Sequence, residues 1–220
     1  MEVWMCSVDW PKAIGVFKDL VLAAAATVTA IAAVRGISKW RAEEQGKADF
    51  DLARRALGAI FRFQTSFQRA RSAFTDASEF PGGYVPVETD PAVDGAAWKH
   101  VMEARLAKVY VNLTELDGIT QEMDALWGDG ARSNVDRLFG CYSTLRASMH
   151  MYVQDQYQGG RIFTHNPSER EKVESHVWDM PSLVEGTTDQ FKPNELTERL
   201  KAAVQESSKQ LRAHLPMHKK

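Results

Sequence analysis

Leu20 to Val34 reads LVLAAAATVTAIAAV, fifteen positions without a charge, bounded by Lys18/Asp19 and Arg35 and preceded by a second apolar patch from Ala13 to Phe17. As a helix, fifteen residues rise only about 22 Å, short of the roughly 30 Å hydrocarbon core of a bilayer. Snorkelling by Lys18 and Arg35 extends the buried stretch toward Ile14 and Ile37. Leu20, Val21, Leu22, Val28, Ile31 and Val34 together contribute about −2 to −3.5 kcal/mol on the insertion scale, partly offset by Thr27 and Thr29. The segment therefore reads as a single N-terminal transmembrane helix. Two other readings compete with it: a signal peptide cleaved at Ala30-Ile31-Ala32, which the acidic opening with Glu2 and Asp9 argues against, and a buried core helix.

Charge on either side of the span sets its direction. Arg35, Lys39, Arg41 and Lys47 follow it, whereas only Lys12 and Lys18 precede it, so the positive-inside rule places the larger C-terminal part in the cytoplasm. Trp4, Trp10 and Trp40 flank the span where interfacial aromatic side chains belong. The chain has 220 residues, enough for one ordinary domain plus an appendage, and its 27 Lys and Arg nearly balance 29 Asp and Glu. That balance makes an obligatory nucleic-acid partner a poor expectation. Two cysteines, Cys6 and Cys141, exclude a multi-disulfide scaffold.

From Gly36 to Phe74 there is no proline, and Phe50, Ala53, Leu57, Ile60, Gln64, Phe67, Arg71 and Phe74 recur at alternating steps of three and four. This heptad-like stripe predicts a long helix continuing the span, with Gly36 and Gly46 as the places for a bend. Thr75 to Trp98 holds Pro81, Gly82, Gly83, Pro86, Pro91 and Gly95 among acidic residues and reads as a long surface loop. Helical spacing returns with Met102, Leu106, Val109, Leu113, Leu116, Met123 and Trp127, and stops near Gly128 and Gly130. Ser133 or Asn134 is the expected cap of a third helix carrying Val135, Leu138, Tyr142, Leu145, Met149 and Tyr152, which ends at Gly159-Gly160. Beyond it, Arg161 to Thr164 and Val177 to Trp178 read as the strands of a small β-hairpin, with a helical turn starting at Asn166-Pro167-Ser168 between them. Asn194 then caps a final helix from Glu195 to about His214.

The expected fold class is therefore mainly α: an N-terminal transmembrane helix in residues 1–35, an antiparallel bundle of long helices in 36–160, and a C-terminal region, 161–220, with a hairpin and a final helix packed on the bundle. Leu57, Phe67, Leu113, Trp127, Leu138 and Leu145 are its expected core.

Several stretches together resemble an uncharacterised group of bacterial single-span membrane-anchored helical proteins. They are Ser38-Lys39-Trp40-Arg41 after the span, Gly46 through Arg55, Phe61-Arg62-Phe63, Arg69 through Phe74, and the ending Leu211-Arg212-Ala213-His214-Leu215. The resemblance covers about a third of the chain and implies a single-pass protein of the bacterial inner membrane, with no activity attached. Glu79 to Gly95 and Val184 to Phe191 lie outside it.

Local charge gives the one candidate binding site. Residues 35–71 hold nine basic and four acidic residues, net +5, while residues 76–129 hold three basic and eleven acidic, net −8. Arg55, Arg62 and Arg69 are spaced by seven and share a helix face, with Phe61, Phe63 and Phe67 interleaved. The ordinary reading is an outer face that is solvated or salt-bridged to the acidic helix; the functional reading is a site for an anionic partner. Metal and cofactor chemistry find no pattern. The six histidines lack zinc spacing, Cys141 sits in a core heptad, and no phosphate loop or nucleophile elbow is present. No catalytic residue is assigned. The leading expectation is a membrane-tethered cytoplasmic helical interaction or sensor module, whose partners are inner-membrane lipid and either another protein or a second copy of itself. The rival expectations are a phage-defence effector acting on membrane or nucleic acid, and an enzyme with a site assembled from Arg161, His165, His176 and Asp179.

Overall fold

In the computed structural model a proline in the first turn, where a missing N–H breaks no bond, starts a helix that neither Gly36 nor Gly46 interrupts: α1 runs Trp10–Ala70. Four further helices follow: α2 (Pro91–Trp127), α3 (Arg132–Tyr157), α4 (Pro167–Val177) and α5 (Glu195–Arg212). The structure describes residues 10–85, 90–128, 130, 132–180, 182–183, 191–212 and 214–215. Trp4, Cys6, Glu88, Asp129, Pro216 and His218 lie outside these. The chain divides into two compact units, Met1–Asp49 and Phe50–Lys220.

In the first unit the described apolar side chains have no protein around them. Phe17, Leu20, Val21, Leu22, Val28, Ile31, Val34 and Ile37 are all exposed, as is Trp40. Among the described residues one helix is long and apolar enough to cross a membrane, and none of its apolar window is buried.

The second unit is built around one apolar core. The inner face of residues 52–70 contributes Leu52, Ala56, Ile60, Phe63 and Phe67, and α2 contributes Met102, Val109, Leu113, Leu116 and Met123. Leu138, Leu145 and Met149 of α3, Val173 and Val177 of α4, and Leu196, Leu200 and Leu211 of α5 complete it. α3 packs on α2, α4 and α5. Of the expected core, Phe67, Leu113, Leu138 and Leu145 are buried, while Leu57 and Trp127 are half-buried, Trp127 stacking on the His214 ring at 3.9 Å. At the ends of the α1 stripe, Phe50 and Phe74 are exposed.

Local chemistry explains where the helices begin and end, and corrects three expectations. The loop after α1 stops at Pro91, not Trp98: Asp90 caps the Ala92 N–H at 3.0 Å, and Pro91 occupies the first helical position. Gly95, read as a loop residue, lies inside α2 against the Tyr157 ring, where a side chain would collide. α3 starts at Arg132, so Ser133 and Asn134 stand within its first turn, with the Asn134 amide donating to Gln210 at 2.8 Å. The hairpin of Arg161–Thr164 with Val177–Trp178 does not form. Residues 161–165 make a turn, and Asn166 caps α4, which absorbs Val177. A proline following a capping Asn starts a helix more readily than a strand. The extended pairing that the described residues do show is a two-residue ladder, Ser182–Leu183 against Phe191–Lys192. Gly128 (φ 82°) ends α2, and Gly159 and Gly160 (φ 63° and 77°) follow α3, each in a left-handed conformation that a side chain would strain.

Candidate functional site

Residues seven apart on a helix are offset by only about 20°, so Arg55, Arg62 and Arg69 form one row along α1. Glu122 and Glu115 form a matching row on α2. Arg55 donates to Glu122 with Nη2 at 2.6 Å and also reaches Asp51 through Nε at 3.2 Å. Arg62 donates bidentately to Glu115, Nη2 at 2.6 Å and Nε at 3.2 Å. The Arg55 guanidinium holds the Glu122 carboxyl below the usual carboxylate range, and its own pKa rises in return.

The two bridges share one register: a step of seven up α1 matches a step of seven down α2. The next rung therefore sets Arg69 opposite Lys108, a cation where the first two rungs have a carboxylate. Both side chains are exposed, and both line an open groove of about 670 Å³. Neither has an ion-pair partner among the described residues. Other charges in the groove are already spent. Arg62 is held by Glu115, and Arg105 takes Glu79 through Nε at 2.7 Å and Nη2 at 2.9 Å, depressing the Glu79 pKa. Phe61 (48% exposed) and Phe74 (76% exposed) form apolar walls. The hydroxyls of the groove are left as acceptors: Thr65 and Ser66 already donate to carbonyls of their own helix, and the Asn112 amide gives one of its two N–H groups to Lys108 O.

Two buried arginines hold the chain that leaves α1, and Arg105 also lines the groove. Arg105 ties down the segment after α1, donating to the carbonyls of Ser72 at 2.8 Å and Phe74 at 2.9 Å. Arg71, only 1% exposed, donates to His176 O at 2.8 Å, Ser175 O at 2.9 Å, Asn194 Oδ1 at 2.7 Å and Thr197 Oγ1 at 2.6 Å. Asp179 lies 3.7 Å from the same guanidinium and hydrogen-bonds Thr197. Burial lowers the Arg71 pKa against the pull of Asp179. Both arginines are positioning residues, since every direction their donors face is taken by protein.

Of the four residues of the enzyme reading, His165 lies in the turn before α4 and His176 in its last turn. His165 is exposed, whereas His176 is buried with Nδ1 at 3.0 Å from Ser148 Oγ. Burial raises the Cys141 thiol pKa, which keeps it protonated. Among the described residues no three His, Cys, Asp or Glu side chains gather to hold a metal ion. A larger groove between α2 and α3, about 1280 Å³, is lined by Met102, Leu106, Tyr110, Tyr142 and Met149.

Comparison of the chain with protein-family models, curated proteins and solved structures gives no match.

Sequence reasoning singled out the arginine row but missed Lys108. Its signal was available once the two helices were placed antiparallel, because position 108 continues the spacing of Glu122 and Glu115.

Proposed function

We propose that the chain is a membrane-tethered helical module that acts by binding, its first helix inserted in a bilayer and its second unit offering a recognition surface on the cytoplasmic side. The observation that carries the tether is the exposure of every described large apolar side chain from Phe17 to Ile37 on a helix whose remaining positions there are chiefly alanine. A helix apolar on all sides needs a hydrocarbon solvent or a complete protein jacket. Its hydroxyls fit the former. Thr27 donates to Ala23 O at 2.8 Å and Thr29 to Ala25 O at 2.9 Å, so neither O–H needs water. Exposed Arg35, Lys39, Arg41 and Lys47 on the downstream side support a cytoplasmic second unit, in keeping with a bacterial inner membrane. The second unit supports the reading of an antiparallel bundle, in which the Arg55–Glu122 and Arg62–Glu115 rungs fix two helices running in opposite directions.

The test is fractionation. Full-length protein is expected in the membrane fraction and resistant to alkaline carbonate, with tags on the two ends on opposite sides by protease protection. Recovery in the carbonate supernatant as a discrete oligomer would replace the bilayer with self-association of the same helix.

A further inference from the structure

We propose that the Arg69–Lys108 rung is a docking point for an acidic peptide segment of a partner protein, which supplies the carboxylate missing from the ladder and lays an apolar side chain against Phe61 and Phe74. The proposal rests on the reading of Phe50–Lys220 as a binding unit and is independent of the tether.

The ladder itself states what the site accepts. At its first two rungs an arginine of α1 meets a glutamate of α2 at 2.6 Å, and the backbone spacing that permits those bonds is repeated at the third. There the α2 residue is a lysine, so two like charges face one groove and repel. The internal anions nearby are already bridged: Glu79, whose charge also reaches Lys108, is engaged bidentately by Arg105, and Glu115 by Arg62, and neither forms an ion pair with Arg69 or Lys108. A carboxylate placed between Arg69 and Lys108 turns this repulsion into two charge-assisted bonds.

Two features favour a peptide over a bare phosphate or nucleic acid. The groove pairs its two cations with acceptor atoms, the Thr65 and Ser66 hydroxyl oxygens, whose own hydrogens are committed within the helix. Peptide N–H groups satisfy such acceptors, whereas phosphate oxygens repel them. The exposed phenylalanine walls then offer an apolar anchor next to the charge, the arrangement of a protein-recognition hot spot.

The experiment uses full-length protein in a neutral detergent and a fluorescein-labelled dodecapeptide of glutamate, leucine and phenylalanine, with its glutamine counterpart as control. Anisotropy is expected to show salt-sensitive binding of the acidic peptide alone. Lys108→Glu completes the third bridge internally and is expected to weaken binding by about tenfold or more without lowering the melting temperature; Arg69→Gln and Phe74→Ala should weaken it similarly. Arg55→Gln, at the first rung, should leave it unchanged. Absence of binding by the wild-type chain, or equal binding by Lys108→Glu, overturns the proposal. So does displacement of the peptide by a short RNA or by phosphatidylglycerol vesicles at concentrations below those of unlabelled peptide. Carbonate extraction of the same preparations reports on the tether separately, so either reading can fail while the other stands.

Discussion

Arginine occurs in this molecule in two environments, and the contrast predicts opposite sensitivities. Arg71 is buried with four donated hydrogen bonds, so Arg71→Met removes the donor to His176 O, three further bonds, and the cation beside Asp179, and should cost about 3 to 5 kcal/mol by urea denaturation. Arg55 is a solvent-exposed bridge, and Arg55→Gln should leave the midpoint within error. Glycine divides the same way within one helix. Gly95→Ala meets the Tyr157 ring and should destabilise by about 1 to 3 kcal/mol. At Gly118, exposed with nothing near an added Cβ, Ala should stabilise by about 0.5 to 1 kcal/mol by removing chain entropy. Equal effects at 95 and 118 would show that the Tyr157 contact is not close. The Arg55 bridge is legible in the sequence as an outer face salt-bridged to the acidic helix, whereas the enclosure of Arg71 and the contact at Gly95 are not, because composition gives Arg71 and Arg55 the same charge and Gly95 and Gly118 the same freedom. Only the placement of Arg71 on an apolar stripe hinted that its side chain was enclosed.

At the scale of elements, period carried what could be read. Helices α1, α2, α3 and α5 follow from apolar steps of three and four, and their buried faces match those steps at Phe67, Leu113, Leu145 and Leu200. Leu113 is the simplest check: Leu113→Ala should cost about 2 to 5 kcal/mol, and an unchanged midpoint would mean that α2 packs in another register. Punctuation misled where one residue has two meanings. Pro91 breaks a helix in its interior but starts one behind a capping Asp90, and the Asn166-Pro167 step does the same for α4, so a loop was read too long and a strand pair was read where a turn and a helix stand. The site was half legible. The arginine row of α1 is visible in the sequence, but Lys108 acquires meaning only from the residue it faces, which no single helix reports.

For the molecule as a whole, acid should act in two steps. His176 is buried against Ser148, Arg71 and the field of Lys172, Arg199 and Glu195, and burial lowers its pKa from the ordinary 6.5. A basic group lowered on folding binds more protons unfolded, so stability falls as pH drops below about 6.5 and levels off below the folded pKa. Glu79, lowered from 4.5 by Arg105, adds a second loss as pH falls through 4.5 toward its folded value. Urea midpoints against pH should show both steps, and His176→Gln should flatten the first alone. A chain beginning near Lys47 keeps the whole second unit and should stay soluble and helical; its precipitation would show that the apolar helix also supports the fold. The Arg71 bonds carry a further consequence, in time. The groups that satisfy this guanidinium lie 104 to 126 residues later in the chain. At about 5 to 20 residues per second, the ribosome needs roughly 6 to 25 seconds after making Arg71 to deliver the last of them. Throughout that interval the core that encloses Phe63 and Phe67 in the finished fold lacks its α5 residues. The newborn chain is thus expected to bind chaperones that hold apolar segments, and a ribosome stalled before Asn194 should leave it protease-sensitive beyond Phe50, whereas one stalled after Arg212 has cleared the exit tunnel should not.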